Sequence, residues 1–119
     1  MAVVRLAELP VSDFHGAAVR QLAPRADEAG ELTIFRSTLP AGTRYPLHFH
    51  DHEEVVVVLD GSATCMLDGL PHAVRSGDAA IVPANAVHSL LAETVVELLA
   101  IFPAGTRMFA PDGTEIDLA

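Results

Sequence analysis

Short apolar runs separated by turn-forming residues dominate the chain from Glu31 onward. Asp68-Gly69 is the clearest turn signal, because this dipeptide favours the tight turn that joins two antiparallel strands. No helical period lies between the runs, so the pattern predicts an all-β sandwich or barrel of antiparallel strands. The predicted strands cover residues 31–39, 55–59, 63–67, 79–82, 89–91 and 94–102.

The two ends of the chain lack this pattern. Proline and glycine interrupt residues 1–30 at positions 10, 16, 24 and 30, which predicts short strands or turns and not a long helix. Residues 103–119 also contain several turn signals. We expect this tail to wrap the barrel or to reach a neighbouring subunit.

Two histidines and a carboxylate form the most informative chemical pattern. His48 and His50 are two residues apart, so in a strand both side chains point to one face and Phe49 points to the other. Glu54 follows four residues after His50, and His88 offers a further ligand downstream. Imidazole and carboxylate ligands suit zinc, iron, nickel, manganese or copper. They do not suit a metal site that requires thiolate ligands. The pattern predicts a transition-metal site built on a β-sheet.

These residues resemble the first motif of the cupin family, in which a glycine, two histidines, a glutamate and a second glycine stand at fixed intervals. The chain matches every position of that motif, and the spacing back from the final glycine selects Glu54 over Glu53. The matching residues are Gly42, His48, His50, Glu54 and Gly61.

The second cupin motif is matched at Gly77, Pro83 and His88, and it is not matched at two other positions. Asn85 stands where the family has glycine, and Ala92 stands where it has asparagine. Asparagine tolerates a left-handed backbone better than most residues with a side chain, so we expect the turn at Asn85 to be preserved. Neither departure falls on a ligand position.

The resemblance extends over residues 39–100 and implies several properties. It implies a jelly-roll barrel, the double-stranded β-helix, in a single domain over residues 1–119. It implies one divalent transition metal per chain, whether iron, manganese, nickel, zinc or copper. It also favours a homodimer, because small cupins frequently pair and because apolar strands leave sheet edges and faces to be covered. The implied metal ligands are His48, His50, Glu54 and His88.

Composition narrows the class of partner. The formal net charge is −9 and all seven cations are arginine, so we expect no nucleic-acid binding, which requires clustered cations. The absence of lysine excludes Schiff-base chemistry. No apolar run is long enough to span a membrane, no secretory signal is evident, and Cys65 has no cysteine partner. We expect a cytoplasmic protein with a small-molecule substrate or ligand and no membrane association.

Several side chains outside the motifs are candidates for lining a pocket beside the metal. Glu97 interrupts an apolar strand, so it lies either on the solvent face or inside the barrel, and alternation favours the solvent face. Arg36 offers either a clamp for a substrate carboxylate or a simple exposed charge, and sequence parity does not decide between them. The full set of pocket candidates is Arg36, Tyr45, Met66, Glu97, Phe102 and Met108.

The remaining histidines and the cysteine are assigned structural or surface roles. His52 shares a segment with the motif, and we expect it at the surface or behind the ligands. His15 and His72 lie outside both motifs and are expected at the surface. Cys65 has no histidine or basic neighbour in sequence, so it is expected to act as a small buried hydrophobe.

The resemblance implies metal binding more strongly than any one reaction. A small metal-dependent enzyme acting on an oxygen-rich organic molecule is the leading hypothesis, with dioxygenase chemistry favoured and isomerase, cyclase or decarboxylase chemistry as alternatives. The other hypothesis is a non-catalytic module that binds metal or a small ligand as a sensor. A structural barrel with a vestigial site ranks third.

Overall fold

The computed structural model describes residues 1–25 and 28–117. Within them, the backbone forms β-strands joined by tight turns, and a short 3-10 helix, Leu6–Glu8, lies near the N-terminus. The strands β1 to β12, in chain order, are Ser12–Phe14, Ala17–Ala23, Leu32–Leu39, Arg44–His50, Glu54–Asp60, Ser62–Leu67, Leu70–Arg75, Ala79–Val82, His88–Ala92, Val96–Pro103, Met108–Phe109 and Glu115–Ile116.

The strands pair into two six-stranded antiparallel sheets. The first sheet has the order β1-β2-β3-β10-β5-β8, and the second has the order β12-β11-β4-β9-β6-β7. Consecutive strands such as β4 and β5 lie in different sheets, so the chain crosses repeatedly between the two layers. This arrangement confirms the predicted all-β jelly roll.

Alternation along the strands fills the space between the sheets. Along β10, Leu98 and Phe102 are buried on the inner face, whereas Leu99 and Ile101 are only partly covered on the outer face. Val58 of β5 belongs to the same buried cluster as Leu98. The apolar core is therefore continuous with the interior of the barrel.

All six predicted apolar runs form strands, with ends that differ by at most two residues from the prediction. The pattern did not identify β7, Leu70–Arg75, as an apolar run. This strand lies at the edge of the second sheet, and Val74 is its only buried residue. An exposed edge strand carries little apolar signal in its sequence, which explains the omission.

The two ends of the chain extend the sheets. Strands β1 and β2 form a hairpin at the edge of the first sheet. In the tail, β11 pairs with β4, so that Met108 lies opposite His50 and Phe109 lies opposite Phe49. The tail thus wraps the barrel, one of the two expected arrangements, and contributes a strand beside the histidine motif.

Turn positions follow the residue types that the sequence supplies. Asp68 and Gly69 adopt φ values of 50° and 80° between β6 and β7, as a tight hairpin requires. Gly61 has a φ of 90°, and a side chain there would collide with the Val95 carbonyl oxygen. Only glycine fits this motif position. Among the described residues, no helix has the length and apolar character needed to cross a membrane.

Candidate metal centre

Three histidines converge inside the barrel. His48 and His50 lie on β4, and His88 begins β9 directly opposite His48 in the ladder. The rings of His48 and His88 lie 4.2 Å apart between centroids. One nitrogen from each of the three rings falls within 4.8 Å of the others, and all three side chains are buried.

Glu54 approaches this cluster from the facing sheet. It begins β5, whereas the histidines belong to the second sheet. Its Oε1 lies 3.2 Å from His88 Nε2 and 3.7 Å from His50 Nε2. Glu54 is only 7% exposed, so the neighbouring imidazoles, and not water, surround its carboxylate. The structure therefore brings together all four residues implied as ligands.

Backbone carbonyls orient two of the rings. His48 Nδ1 lies 2.6 Å from the Pro46 carbonyl oxygen, and His88 Nδ1 lies 2.9 Å from the Ala86 carbonyl oxygen. In the neutral tautomer these nitrogens donate their protons, which leaves each Nε2 as an unprotonated ligand. His50 Nδ1 is buried and makes no hydrogen bond of acceptable geometry to the described residues.

Electrostatics favour neutral rings beside an ionised carboxylate. Burial lowers the pKa of His48 to about 4, and His88 adds to this effect. Burial also lowers the pKa of His50, although Glu54 and the nearby Arg107 backbone act in the opposite direction. Burial alone would raise the pKa of Glu54, but the close approach of His88, His50 and His48 outweighs burial, so this pKa is lowered. Metal ligands require these protonation states.

The donor set fits a divalent transition metal. Three imidazole nitrogens and one carboxylate oxygen are borderline donors that suit zinc, iron, nickel, manganese and copper. The buried carboxylate next to three buried imidazole rings is a combination that a cation would complete. The three buried histidines can thus bind a metal, and the geometry leaves the choice of ion open.

A cavity of about 100 Å³ extends from this cluster between the two sheets. Among the pocket candidates, Tyr45, Phe102 and Met108 line it. The Phe102 ring stacks on His50 with centroids 5.6 Å apart. Met108 is 2% exposed and reaches the cavity from the tail. Aromatic and aliphatic side chains make up most of the remaining wall.

The other three pocket candidates, Arg36, Met66 and Glu97, are absent from the cavity wall. Arg36 and Glu97 lie in register positions adjacent to inward-facing residues, so alternation turns them to the outer face. Arg36 Nε lies 3.5 Å from Glu97 Oε2, and Thr38 donates a hydrogen bond to Glu97 Oε1 at 2.7 Å. This small polar cluster explains the charge within an apolar strand.

Residues outside the motifs follow their expected surface or core roles. His15, His52 and His72 are exposed, and His52 Nδ1 lies 2.9 Å from Asp51 Oδ1. Asn85 has a φ of 66°, and its backbone N–H donates to the His50 carbonyl at 2.7 Å, so the expected turn is preserved. Cys65 is buried, and burial raises the pKa of its thiol.

Sequence reasoning missed much of the cavity wall, and Phe14 and Ser37 are two informative examples. Phe14 comes from the N-terminal hairpin, and Ser37 comes from the inner face of β3. The first thirty residues were expected to form short strands or turns without defined bounds, so nothing marked Phe14. The alternation of β3 did place Ser37 opposite Arg36, but the sequence did not decide which face was inside.

Comparisons with known proteins agree with this fold. A family model described as the Cupin domain matches residues 35–102. Protein SchB of Streptomyces halstedii is 27% identical over 117 residues, which are 97% of this chain and 85% of SchB. The solved structure of the polyketide cyclase RemF from Streptomyces resistomycificus aligns with a TM-score of 0.80 at 20% identity, over 100% of this chain and 87% of RemF.

A larger enzyme contains a similar barrel. Salicylate 1,2-dioxygenase from Pseudoaminobacter salicylatoxidans, solved with gentisate, aligns with a TM-score of 0.73 at 22% identity. The alignment covers 83% of this chain and 30% of the dioxygenase. At these identities, both structural likenesses extend to the fold.

Proposed function

The chain belongs to the cupin domain family, and from that premise we propose that it is a metal-dependent enzyme that closes rings in a neutral, carbonyl-rich organic substrate. His48, His50, Glu54 and His88 would hold one divalent ion. The observation that carries the proposal is the position of this donor set at one end of an apolar cavity.

A bound divalent ion with open coordination positions would supply Lewis acidity to a carbonyl or enol oxygen. The chain's own contribution is the shape and dryness of the site. Phe102 and Met108 cover His50 with apolar surface, which excludes water from the ligands. The walls would fold a flexible carbonyl chain so that an acidic C–H and a distant carbonyl carbon meet, which favours C–C bond formation with loss of water.

The character of the cavity wall favours a neutral substrate. Among the described residues that line it, none is an arginine, and Glu54 and the histidines are its only ionisable groups besides Tyr45 and Cys65. A substrate carboxylate would have no cationic side chain to pair with inside the barrel. The full-length likeness to a polyketide cyclase agrees with a neutral, oxygen-rich substrate.

Dioxygenase chemistry is the second candidate. Its support is the similar barrel in salicylate 1,2-dioxygenase and the open positions that three histidines and one carboxylate leave on an ion. An anionic aromatic acid such as gentisate fits the cation-free wall less well than a neutral diol. A sensor or ligand-binding module is the alternative if the protein binds small molecules without turnover.

A metal-reconstituted assay separates these functions. The protein, loaded in turn with each candidate metal, is incubated with a linear poly-β-ketone thioester, and mass spectrometry follows the loss of water on ring closure. An oxygen electrode records consumption with catechol and with gentisate. We expect dehydrated cyclic product without oxygen consumption. Oxygen consumption would instead support the dioxygenase, and saturable binding without product would support the sensor.

A matched pair of histidine variants ties any activity to the centre. His48→Ala removes a proposed ligand, whereas His52→Ala removes an exposed imidazole four residues away. We expect product formation to vanish in the first and to persist in the second. Equal activity in both variants would contradict the proposed centre.

We also propose that the protein is a homodimer formed through the outer face of the first sheet. A ladder of apolar side chains crosses four neighbouring strands there, through Ile34, Ile101, Val55 and Ile81. Ile81 ends this row on the edge strand β8 and is 53% exposed, so the row leaves a large apolar side chain uncovered at the sheet edge. A symmetric copy of the same face would cover it.

Sedimentation equilibrium of wild type and Ile81→Lys tests the dimer. We expect a dimer for wild type and a monomer for the variant, because a buried lysine charge disfavours the contact. Leu47→Lys is the control, since Leu47 is 51% exposed on the other sheet. A monomeric wild type would exclude this interface.

A further inference from the structure

Two hydroxyl groups face each other in the apolar part of the cavity. Ser37 is 3% exposed on β3, and Tyr45 on β4 comes from the opposite sheet. Both line the cavity, and the Ser37 hydroxyl is close enough to the Tyr45 phenol to lower its pKa. A buried hydroxyl group in an apolar wall favours a polar neighbour, and the partly buried Tyr45 phenol offers one to Ser37.

A β-bulge places Tyr45 on the inner face. Tyr45 is three residues before His48, so strict alternation would point the two side chains in opposite directions. In the ladder, however, Tyr45 pairs with Leu90 and His48 pairs with His88. Over this interval β4 therefore contains one residue more than β9. The extra residue restores Tyr45 to the face of His48. The same bulge contains Pro46, whose carbonyl orients His48.

The phenol is held and protonated. Phe14 packs edge-on against the Tyr45 ring with centroids 5.1 Å apart. Burial raises the pKa of Tyr45, the Ser37 hydrogen bond opposes this rise, and the charges of Glu54 and Asp13 reinforce it. The net pKa lies above its ordinary value, so at neutral pH the phenol keeps a proton to donate. Ser37 lowers the pKa of Tyr45, which is the effect of a serine hydroxyl that donates to Tyr45 Oη.

We propose that Tyr45, positioned by Ser37, donates a hydrogen bond to a substrate oxygen remote from the histidine cluster. Tyr45 would then set which end of the substrate enters first and would select molecules with oxygens at both ends. The proposal deepens the ring-closing function above and rests on it for the occupant of the histidine end.

The ladder spacing defines the ligand class. The Tyr45–Leu90 and His48–His88 pairs are consecutive inward rows, about 7 Å apart along β9. A neutral, flat molecule with a chelating hydroxy-ketone at one edge and a phenol or carbonyl oxygen across one ring spans such a distance. Phe14 and Phe35 flank the space between with aromatic surface.

Two acetophenones that differ by one hydroxyl group test the proposal. Both carry a hydroxyl ortho to the ketone, which can chelate an ion, and only the dihydroxy compound carries a second hydroxyl at the para position. Their affinities for the metal-loaded protein are measured by calorimetry. We expect wild type to prefer the dihydroxy probe about three- to tenfold, the range of one neutral hydrogen bond.

Tyr45→Phe should abolish this preference without weakening the ortho-hydroxy probe. A preference that persists in Tyr45→Phe would overturn the proposal. Equal weakening of both probes would also overturn it, because Tyr45 would then support the metal end and not a remote oxygen. Failure of wild type to bind either probe, with metal bound, would overturn the ligand class while leaving the metal centre intact. A wild type without metal would refute the proposed function itself.

Ser37→Ala and Thr38→Val provide a readout that does not depend on any ligand. Each removes one hydroxyl from adjacent residues of β3, but Ser37 faces the cavity and Thr38 faces Glu97 outside. Tyr45 is the only tyrosine and the chain has no tryptophan, so a phenolate absorbance titration reports Tyr45 alone. We expect Ser37→Ala to raise the Tyr45 pKa further and reduce the probe preference, and Thr38→Val to change neither. An unchanged titration in Ser37→Ala would refute its positioning role.

Discussion

The two ends of the cavity are polar for different reasons. At the histidine end, His48 and His50 follow the two-residue period of a strand, and Glu54 follows in the next strand. At the tyrosine end, Tyr45 reaches the interior only because β4 contains a bulge. Local spacing builds the first end, and an irregularity in strand pairing builds the second.

The two ends therefore have different proposed roles: the histidine end binds the metal ion, and the tyrosine end selects the organic molecule. The histidine end holds groups that any ion of suitable charge would join. The tyrosine end holds a neutral hydroxyl pair within aromatic and aliphatic walls, which discriminates among organic molecules by one hydrogen bond. Changes at the first end should remove function, and changes at the second should redirect it.

The largest effect is expected from removing a ligand at the histidine end. His88→Ala deletes the imidazole nearest the Glu54 carboxylate and leaves that buried charge without its closest polar neighbour. Residues behind metal ligands typically contribute about 10- to 100-fold to affinity, so loss of a ligand should exceed this range. Competition with a chromophoric chelator measures the change. The Tyr45 titration should stay close to that of wild type, and a large change in it would show that the two ends are not separable.

Acidification should lower the unfolding free energy of the metal-free protein, because it protonates the histidine end. His48 has a pKa of about 4 in the fold against 6.5 ordinarily, so its neutral form is the one that the fold favours. The contribution of neutral His48 to stability is therefore fully present above pH 6.5, and it declines as the pH falls toward 4. At about 1.4 kcal/mol per pKa unit, protonation of His48 alone should lower the unfolding free energy by about 3 kcal/mol.

Urea denaturation of metal-free protein across this pH range measures the loss. His48→Gln replaces the titrating ring with a neutral side chain, so the variant should show a shallower pH dependence than wild type. Burial lowers the pKa of His50 as well, so part of the dependence should remain. Parallel pH profiles for the two proteins would contradict the assigned role of His48.

The smallest effect is expected at the turn that supports the histidine end. Asn85 has a φ of 66°, a left-handed conformation that costs alanine about 1–2 kcal/mol and glycine almost nothing. Asn85→Ala should lower the unfolding free energy by about 1 kcal/mol. Asn85→Gly should lie close to wild type in the same denaturation experiment. A larger loss in the glycine variant would assign the asparagine side chain a contact that the turn does not require.

Much of the fold follows from the sequence because strand alternation and turn chemistry are local. Asp68-Gly69 specifies its hairpin whatever lies around it. His48, His50 and Glu54 were identifiable for the same reason, since their spacing is a property of one strand and the turn after it, whereas His88 on β9 was implied by resemblance to the second cupin motif. The bounds of β7 and of the hairpin that carries Phe14 were not identifiable, because edge strands bury little apolar surface and so show no apolar run.

The inner and outer faces could not be assigned from alternation alone. Arg36 and Ser37 alternate on one strand, and the position of the facing sheet decides that Ser37 points inward. Tyr45 was named as a candidate, but the bulge that turns it inward depends on pairing between β4 and β9. Such information resides in contacts between distant segments, which a single sequence does not display.

Elemental mass spectrometry of tag-free protein, purified without chelators and then reconstituted, decides whether the histidine cluster binds a metal. We expect one divalent transition-metal ion per chain in wild type and in His52→Ala, and none in His48→Ala. Wild-type protein that holds no metal after reconstitution, or a His48→Ala variant that retains a full complement, would contradict the assignment of the histidine cluster as a metal centre.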